Sequence, residues 1–163
     1  MTEPRKSPLD LTRNWTGSLA DAILIAATFH SNQFDKGGNP YILHPMKVMH
    51  YTRSEDTEVM IIAVLHDVVE DTDVTLEDLR MAGFSWRVIE GVDGVTKRDG
   101  ETKEESLQRV MRNHDSVIVK MADLRHNSDI RRLKGITEKD FKRMEWYQTA
   151  YSRLREYRAM MGF

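Results

Sequence analysis

The sequence predicts a single all-helical domain, a bundle with a metal site in its core, on three observations. An apolar run that begins at Val59 ends in His66-Asp67-Val68-Val69-Glu70-Asp71, and buried carboxylates are costly unless something cationic neutralises them. A second apolar run, residues 117–122, leads in the same way into Asp123-Leu124-Arg125-His126-Asn127. Helix-capping residues also recur along the whole chain, with no internal repeat, low-complexity tract or linker between them.

The elements follow in order. Residues 1–16 read as an arm that Leu9, Leu11 and Trp15 could tack onto the domain proper, residues 17–163. Ser18 suits the N-cap of a helix to about residue 31, with Leu19, Ala22, Ile23, Ala26 and His30 on its inner stripe. Gly37-Gly38-Asn39-Pro40 breaks the chain into a loop. Pro45 fits the first position of a second helix, with Met46, Met49 and His50 inside it. Asp56 or Thr57 caps a central helix expected to run through Glu70. It places Val59, Ile62, Ala63 and His66 on one stripe and Asp67 beside it. Glu70 and Asp71 then lie one turn further along the same face.

Thr75-Leu76-Glu77-Asp78 opens a short helix to Met81 that Gly83 closes, and Ser85 caps another to about Val92. Asp93-Gly94 reads as a turn, and residues 96–105 as a solvated loop entering a helix near Lys103. The β-branched residues of 117–122 would suit a strand. A helix is preferred, because it puts Val119, Asp123, His126 and Asn127 on a common face. Thr137 caps a long amphipathic helix to about residue 160, with Phe141, Met144, Trp146 or Tyr147, Tyr151 and Leu154 inward.

Composition narrows the function. A chain of 163 residues, 40 % hydrophobic and 31 % charged, suits one domain with a sizeable core. A net charge of −2 speaks against a nucleic-acid groove or an anionic membrane as partner. No apolar run approaches the ~20 residues of a membrane span, and the N-terminus lacks a signal peptide's apolar segment. With no cysteine, a metal here is held by imidazole and carboxylate, and the protein fits a reducing cytoplasm. Oligomeric state leaves no trace in the sequence.

His44, His66, Asp67 and Asp123 would offer two nitrogen and at least two oxygen ligands. That set suits Mn²⁺, Fe²⁺ or Zn²⁺ better than Ca²⁺ or Mg²⁺, which prefer all-oxygen sites. His30, on the first helix's inner stripe, could be a ligand or a partner behind one. His50 and His114 are more simply read as ordinary helical histidines.

Four segments in sequence order carry a resemblance. They are His30-Ser31-Asn32-Gln33-Phe34-Asp35-Lys36-Gly37-Gly38-Asn39-Pro40-Tyr41-Ile42-Leu43-His44-Pro45, His66-Asp67-Val68-Val69-Glu70-Asp71-Thr72, Asp93-Gly94-Val95-Thr96-Lys97 and Lys120-Met121-Ala122-Asp123-Leu124-Arg125-His126-Asn127. The chain resembles the hydrolase domain of the stringent-response alarmone enzymes, members of the HD phosphohydrolase superfamily, and most of all their stand-alone form, the small alarmone hydrolases. That resemblance implies a metal-dependent enzyme, typically using Mn²⁺, that removes the 3′-pyrophosphate of guanosine tetra- or pentaphosphate. It implies His44, His66, Asp67 and Asp123 as ligands, Glu70 and Asp71 as the acidic pair beside the attacking water, and Asn127 on the phosphate side. The chain stops where the bifunctional enzymes begin their synthetase domain, so synthesis is not expected.

Two positions depart from the family pattern: Asp35-Lys36 stands where an Arg-Lys pair is usual, and Leu124-Arg125 inverts the usual order. Lys36, Lys97, Arg98 and Arg125 are the candidates for neutralising a polyanionic substrate, and Asp35 lies among the residues expected near it. Asp35 keeps open another phosphorylated nucleotide, such as a nicotinamide dinucleotide phosphate or a 5′-nucleotide. A non-catalytic nucleotide sensor using the same pocket is a different class of reading. It fits less well, because a binder of polyanions gains nothing from Glu70 and Asp71.

Overall fold

The computed structural model describes residues 5–163, and among these there is no strand, only an isolated bridge between Phe34 and Pro40. The most apolar helix is the centre. Helix α3 (Thr57–Leu65) buries Val59, Ile61, Ile62, Ala63, Val64 and Leu65, so it is apolar all round, as a core helix must be. Around it pack α1 (Leu19–Phe29), α2 (Leu43–Thr52), α6 (Trp86–Val95) and α8 (His114–Asn127). Helix α5 (Leu76–Met81) leans on α6, α7 (Lys103–Val110) on α6 and α8, and α9 (Glu138–Met161) lies along α8.

Helix α8 joins two apolar clusters. Val119 and Ala122 face the α1–α3 core, while Val117, Met121 and Leu124 face Leu107 and Val110 of α7 and Ala150 and Leu154 of α9. Packing on both sides explains why its β-branched run is helical: no edge is left for a strand partner.

Capping residues set the helix starts. Ser18, Thr75, Thr102 and Thr137 each form a full capping box with the acidic residue three places on, while Asp56, Ser85 and Asn113 accept single cap bonds.

Several expectations change. The central helix does not run through Glu70. It stops at Leu65, His66 and Asp67 form a turn, and a single further turn, α4 (Val68–Asp71), follows. Asp67 sits at φ −102°, ψ −7°, off the helical values, and this re-aims its carboxylate toward His66 and His44. Pro45 is the third residue of α2, which begins at Leu43. Phe141 is 63 % exposed rather than inward, and His50 is also exposed.

Asp93-Gly94 is not a turn, because α6 continues through it to Val95. Two contacts hold that last stretch helical. A Cβ on Gly94 would stand 2.1 Å from Ser116 Oγ, so glycine lets α6 and α8 touch. Arg109 also donates to the carbonyls of Asp93 (2.9 Å) and Gly94 (2.6 Å), satisfying the free end of the helix.

The expected arm falls partly outside the described residues, at 1–4. Within them, Leu9 is buried and Trp15 packs on the core, but Leu11 is 43 % exposed. Arg5 Nη1 pairs with Asp78 at 2.9 Å. No helix among the described residues is long and apolar enough to cross a membrane.

Candidate metal centre

Three packed elements bring together side chains distant in sequence. His44 lies in the first turn of α2, His66 and Asp67 in the turn after α3, and Asp123 near the end of α8. His44 Nε2 stands 3.3 Å from both Asp67 Oδ2 and Asp123 Oδ1. His66 Nε2 stands 2.9 Å and 3.8 Å from the same two oxygens, and the two Nε2 atoms are 3.2 Å apart. His44, His66 and Asp123 are buried and form a group that could hold a metal ion.

Donor chemistry fits that reading. Nδ1 of His66 lies 2.8 Å from the Ala63 carbonyl, which can only accept, so Nδ1 carries the hydrogen and Nε2 meets the carboxylates. Bare lone pairs facing carboxylates demand a cation between them, whether protons or a metal. A metal holding such donors at ~2.0–2.2 Å sets them about 3.0–3.6 Å apart, close to the spacing here. With protons in place, burial would lower the pKa of His66, but the charges of Asp67 and Asp123 override it and push it up to about 10. His44 moves up as well, against its own burial; against theirs, Asp67 is held below its ordinary range by the facing imidazoles and Asp123 by the Lys120 ammonium first and the imidazoles after it.

Further side chains hold the carboxylates in place. Tyr41 Oη donates to Asp67 Oδ2 (2.6 Å), Lys120 Nζ to Asp123 Oδ2 (2.8 Å) and Asn127 Nδ2 to Asp123 Oδ1 (2.6 Å). Glu70 and Asp71 on α4 are exposed at the rim. Glu70 Oε2 accepts the backbone N–H of Lys97 at 2.9 Å, so the segment after α6 serves to place Glu70. Burial, together with the charges of Asp67 and Glu70, pushes the Asp71 carboxyl up to about 6.

The HD domain family matches residues 22–150. The chain belongs to that family. Among relatives of the HD domain, the guanosine-3′,5′-bis(diphosphate) 3′-pyrophosphohydrolase MESH1 of Danio rerio is 37 % identical over 123 residues, which cover 69 % of this chain and 68 % of that protein. The guanosine-3′,5′-bis(diphosphate) 3′-pyrophosphohydrolase of Haemophilus influenzae is 37 % identical over 117 residues, 64 % of this chain but only 17 % of that protein's length. A solved structure of a metazoan ortholog of SpoT, described as hydrolysing ppGpp and acting in starvation responses, superposes with a TM-score of 0.67 at 23 % identity. It covers 97 % of this chain and 99 % of that one. This likeness speaks for the fold.

Around the metal group of this HD domain lie two clefts that share Arg143 and Tyr147. The first, about 360 Å³, is lined by Lys36, Asp35, Tyr41, Asn127 and Arg132 among others. The second, about 250 Å³, is lined by Glu70, Lys97, Lys103, Lys120 and Trp146 among others. Lys36 and Asn127 are thus together, and Lys97 lines the other cleft. Arg125 is with neither: its guanidinium lies 4.4 Å over the Tyr51 ring, beside a separate cavity. Arg98 pairs with Asp93 at 3.0 Å.

Asp35 faces its own loop. Oδ1 accepts from the backbone N–H groups of Gly37 and Asn39, each at 2.9 Å, and Oδ2 accepts from Arg132 at 3.2 Å. Burial alone would raise its pKa, but these bonds hold it below the ordinary value. Sequence reasoning missed Arg132, Arg143, Tyr41 and His126. Arg132 reaches the cleft from a segment with no apolar pattern of its own, and Arg143 from the long helix, where a basic residue beside the inward stripe reads as a solvated one. Tyr41 stands inside the first recognised segment and was readable there as a polar aromatic four residues before Pro45. His30 is buried with Nδ1 2.8 Å from Gln33 Oε1 and its ring on Tyr41, so it stands behind the site and not in the group of three.

Proposed function

We propose that this HD domain is a metal-dependent hydrolase that removes the 3′-pyrophosphate of guanosine tetra- or pentaphosphate, with Mn²⁺ as its working metal. The observation that carries this reading is the meeting of His44, His66, Asp67 and Asp123 within 2.9–3.8 Å, beside clefts that hold Lys36 and Arg143 in one case and Lys97 and Lys103 in the other. The relatives' names supply the nucleotide.

A divalent ion held by these four residues would supply Lewis-acid polarisation of a phosphoryl oxygen and acidify a water. The chain's own residues do the rest. Tyr41, Lys120 and Asn127 fix the carboxylate rotamers, so the site needs little rearrangement on binding. Lys36 and Arg143 attract the phosphates from the first cleft, and Lys97 does so from the second. Asp71 takes the proton of the attacking water, for which a pKa near 6 is well matched. Glu70, anchored on Lys97 N–H, orients that water, and the proton that Asp71 has taken passes on to the departing 3′-oxygen.

Asp35 no longer favours a different nucleotide, because Arg132 and its own loop take up its charge. The test is a panel of guanosine tetraphosphate, a nicotinamide dinucleotide phosphate and a 5′-nucleotide with Mn²⁺, product identified by phosphorus NMR. Pyrophosphate released from guanosine tetraphosphate supports the reading. Turnover confined to another nucleotide overturns it.

A further inference from the structure

The two histidines of the cluster are aimed by different means. Behind His66 stands the Ala63 carbonyl, a backbone acceptor that no substitution removes. The first cluster histidine has no such support. Nδ1 of His44 meets Nδ1 of His126 at 2.7 Å, with the two rings 18° from parallel. Both side chains are buried. We propose that His126 is a positioning residue of the metal centre. Its unprotonated Nδ1 accepts the Nδ1 hydrogen of His44, and this turns the Nε2 lone pair of His44 toward Asp67 and Asp123.

Counting hydrogens leads to this assignment. Two ring nitrogens at 2.7 Å share one hydrogen, since two would clash and none would set lone pair against lone pair. A neutral imidazole carries one N–H. If His44 offers Nε2 to a metal, its hydrogen is on Nδ1, and the hydrogen of His126 must be on Nε2. The reverse bond, with His126 donating, puts a hydrogen on His44 Nε2, where it points at the two carboxylate oxygens 3.3 Å away and blocks a metal. One hydrogen bond, read in its two directions, therefore separates a metal-ready site from a metal-refusing one. A carboxylate behind His44 would settle the direction by itself, whereas a histidine must be held in the correct ring orientation. The surroundings do that: Tyr51 meets the ring of His126 edge-on, with centroids 5.9 Å apart, and Arg125 covers Tyr51. Arg132 Nη1 ties the His126 carbonyl at 3.1 Å. Arg125, expected from the sequence to meet substrate, thus supports the ring that supports His44.

Two variants and one spectrum test the proposal, which rests on the metal reading of the site but on no particular nucleotide. His126→Leu places a methyl where Nδ1 was, and His126→Asn places a carbonyl oxygen there. Zn²⁺ affinity is measured against a chromophoric chelator, with melting curves at saturating Zn²⁺ to show that each variant is folded. His126→Leu should bind Zn²⁺ ~10–100-fold more weakly, and His126→Asn should recover to within about threefold of the parent. In the Zn²⁺-loaded parent, nitrogen NMR of ¹⁵N-histidine protein should show His44 protonated at Nδ1 and His126 at Nε2. That measurement also decides the matter if the leucine variant does not fold. Equal affinity in a folded His126→Leu protein, an asparagine variant as weak as the leucine one, or His126 protonated at Nδ1 would overturn the proposal. A parent that takes up no Zn²⁺ would end the metal reading along with it.

Discussion

Replacing Asp35 by arginine, the residue that the family pattern would place there, should harm this protein. Asp35 is the acceptor around which the loop from Phe34 to Pro40 is folded. It takes two backbone N–H groups at 2.9 Å and the Arg132 guanidinium at 3.2 Å, with its side chain only 11 % exposed. Hydrogen bonds to a charged acceptor contribute ~1.5–3 kcal/mol each. Relaxation of a surface loop and entry of water reduce the sum to about 2–3 kcal/mol. The incoming guanidinium also faces Arg132, which adds ~1 kcal/mol of screened repulsion. A melting temperature lower by roughly 6–16 °C follows for a domain of this size. Because the same loop carries Lys36 at the mouth of the first cleft, kcat/KM on guanosine tetraphosphate should fall about tenfold or more, the equivalent of ~1.4 kcal/mol in transition-state binding. Metal content should be unchanged. Asp35→Asn keeps one acceptor oxygen and should lose only about 1 kcal/mol. The assays are thermal melting with bound metal, metal analysis and steady-state kinetics. An unchanged melting temperature together with raised kcat/KM in Asp35→Arg would refute the argument, because it would mean that the cleft lacks a cation and the loop does not need its aspartate.

Three other outcomes are expected. Chelation should lower the melting temperature and Mn²⁺ should restore it, by ~2.7 kcal/mol at a hundredfold excess over Kd, since Asp67 and Asp123 repel without a cation; a curve indifferent to chelator would count against a metal in the core. Glu70→Gln and Asp71→Asn should each cost ~10²–10⁴ in turnover with metal content intact, and loss of metal from either variant would make that residue a ligand instead. The Asp71 carboxyl, pushed up to about 6, is protonated below that pH and cannot take a proton, so kcat should decline as pH falls through about 6. Asp71→Asn should abolish that limb of the profile, and an unchanged limb in the variant would assign it to another group.

Much of this protein is determined by short-range sequence pattern. Capping residues and apolar runs locate the helices, because a cap bond joins residues three apart and an amphipathic stripe repeats every three or four. Charged and imidazole groups at the ends of two apolar runs likewise expose His66, Asp67 and Asp123 before any coordinates. The structure decided what depends on partners far along the chain. Gly94 is helical because Ser116 and Arg109 press on it from α8 and α7, and α3 stops at Leu65 so that the carboxylate of Asp67 in the following turn can meet an imidazole of α2. Arg132 meets Asp35 across 97 positions, and His126 stands behind His44 across 82. Contacts of that span leave no periodic trace in a sequence, because helix packing sets which side chains meet and the local helical repeat does not.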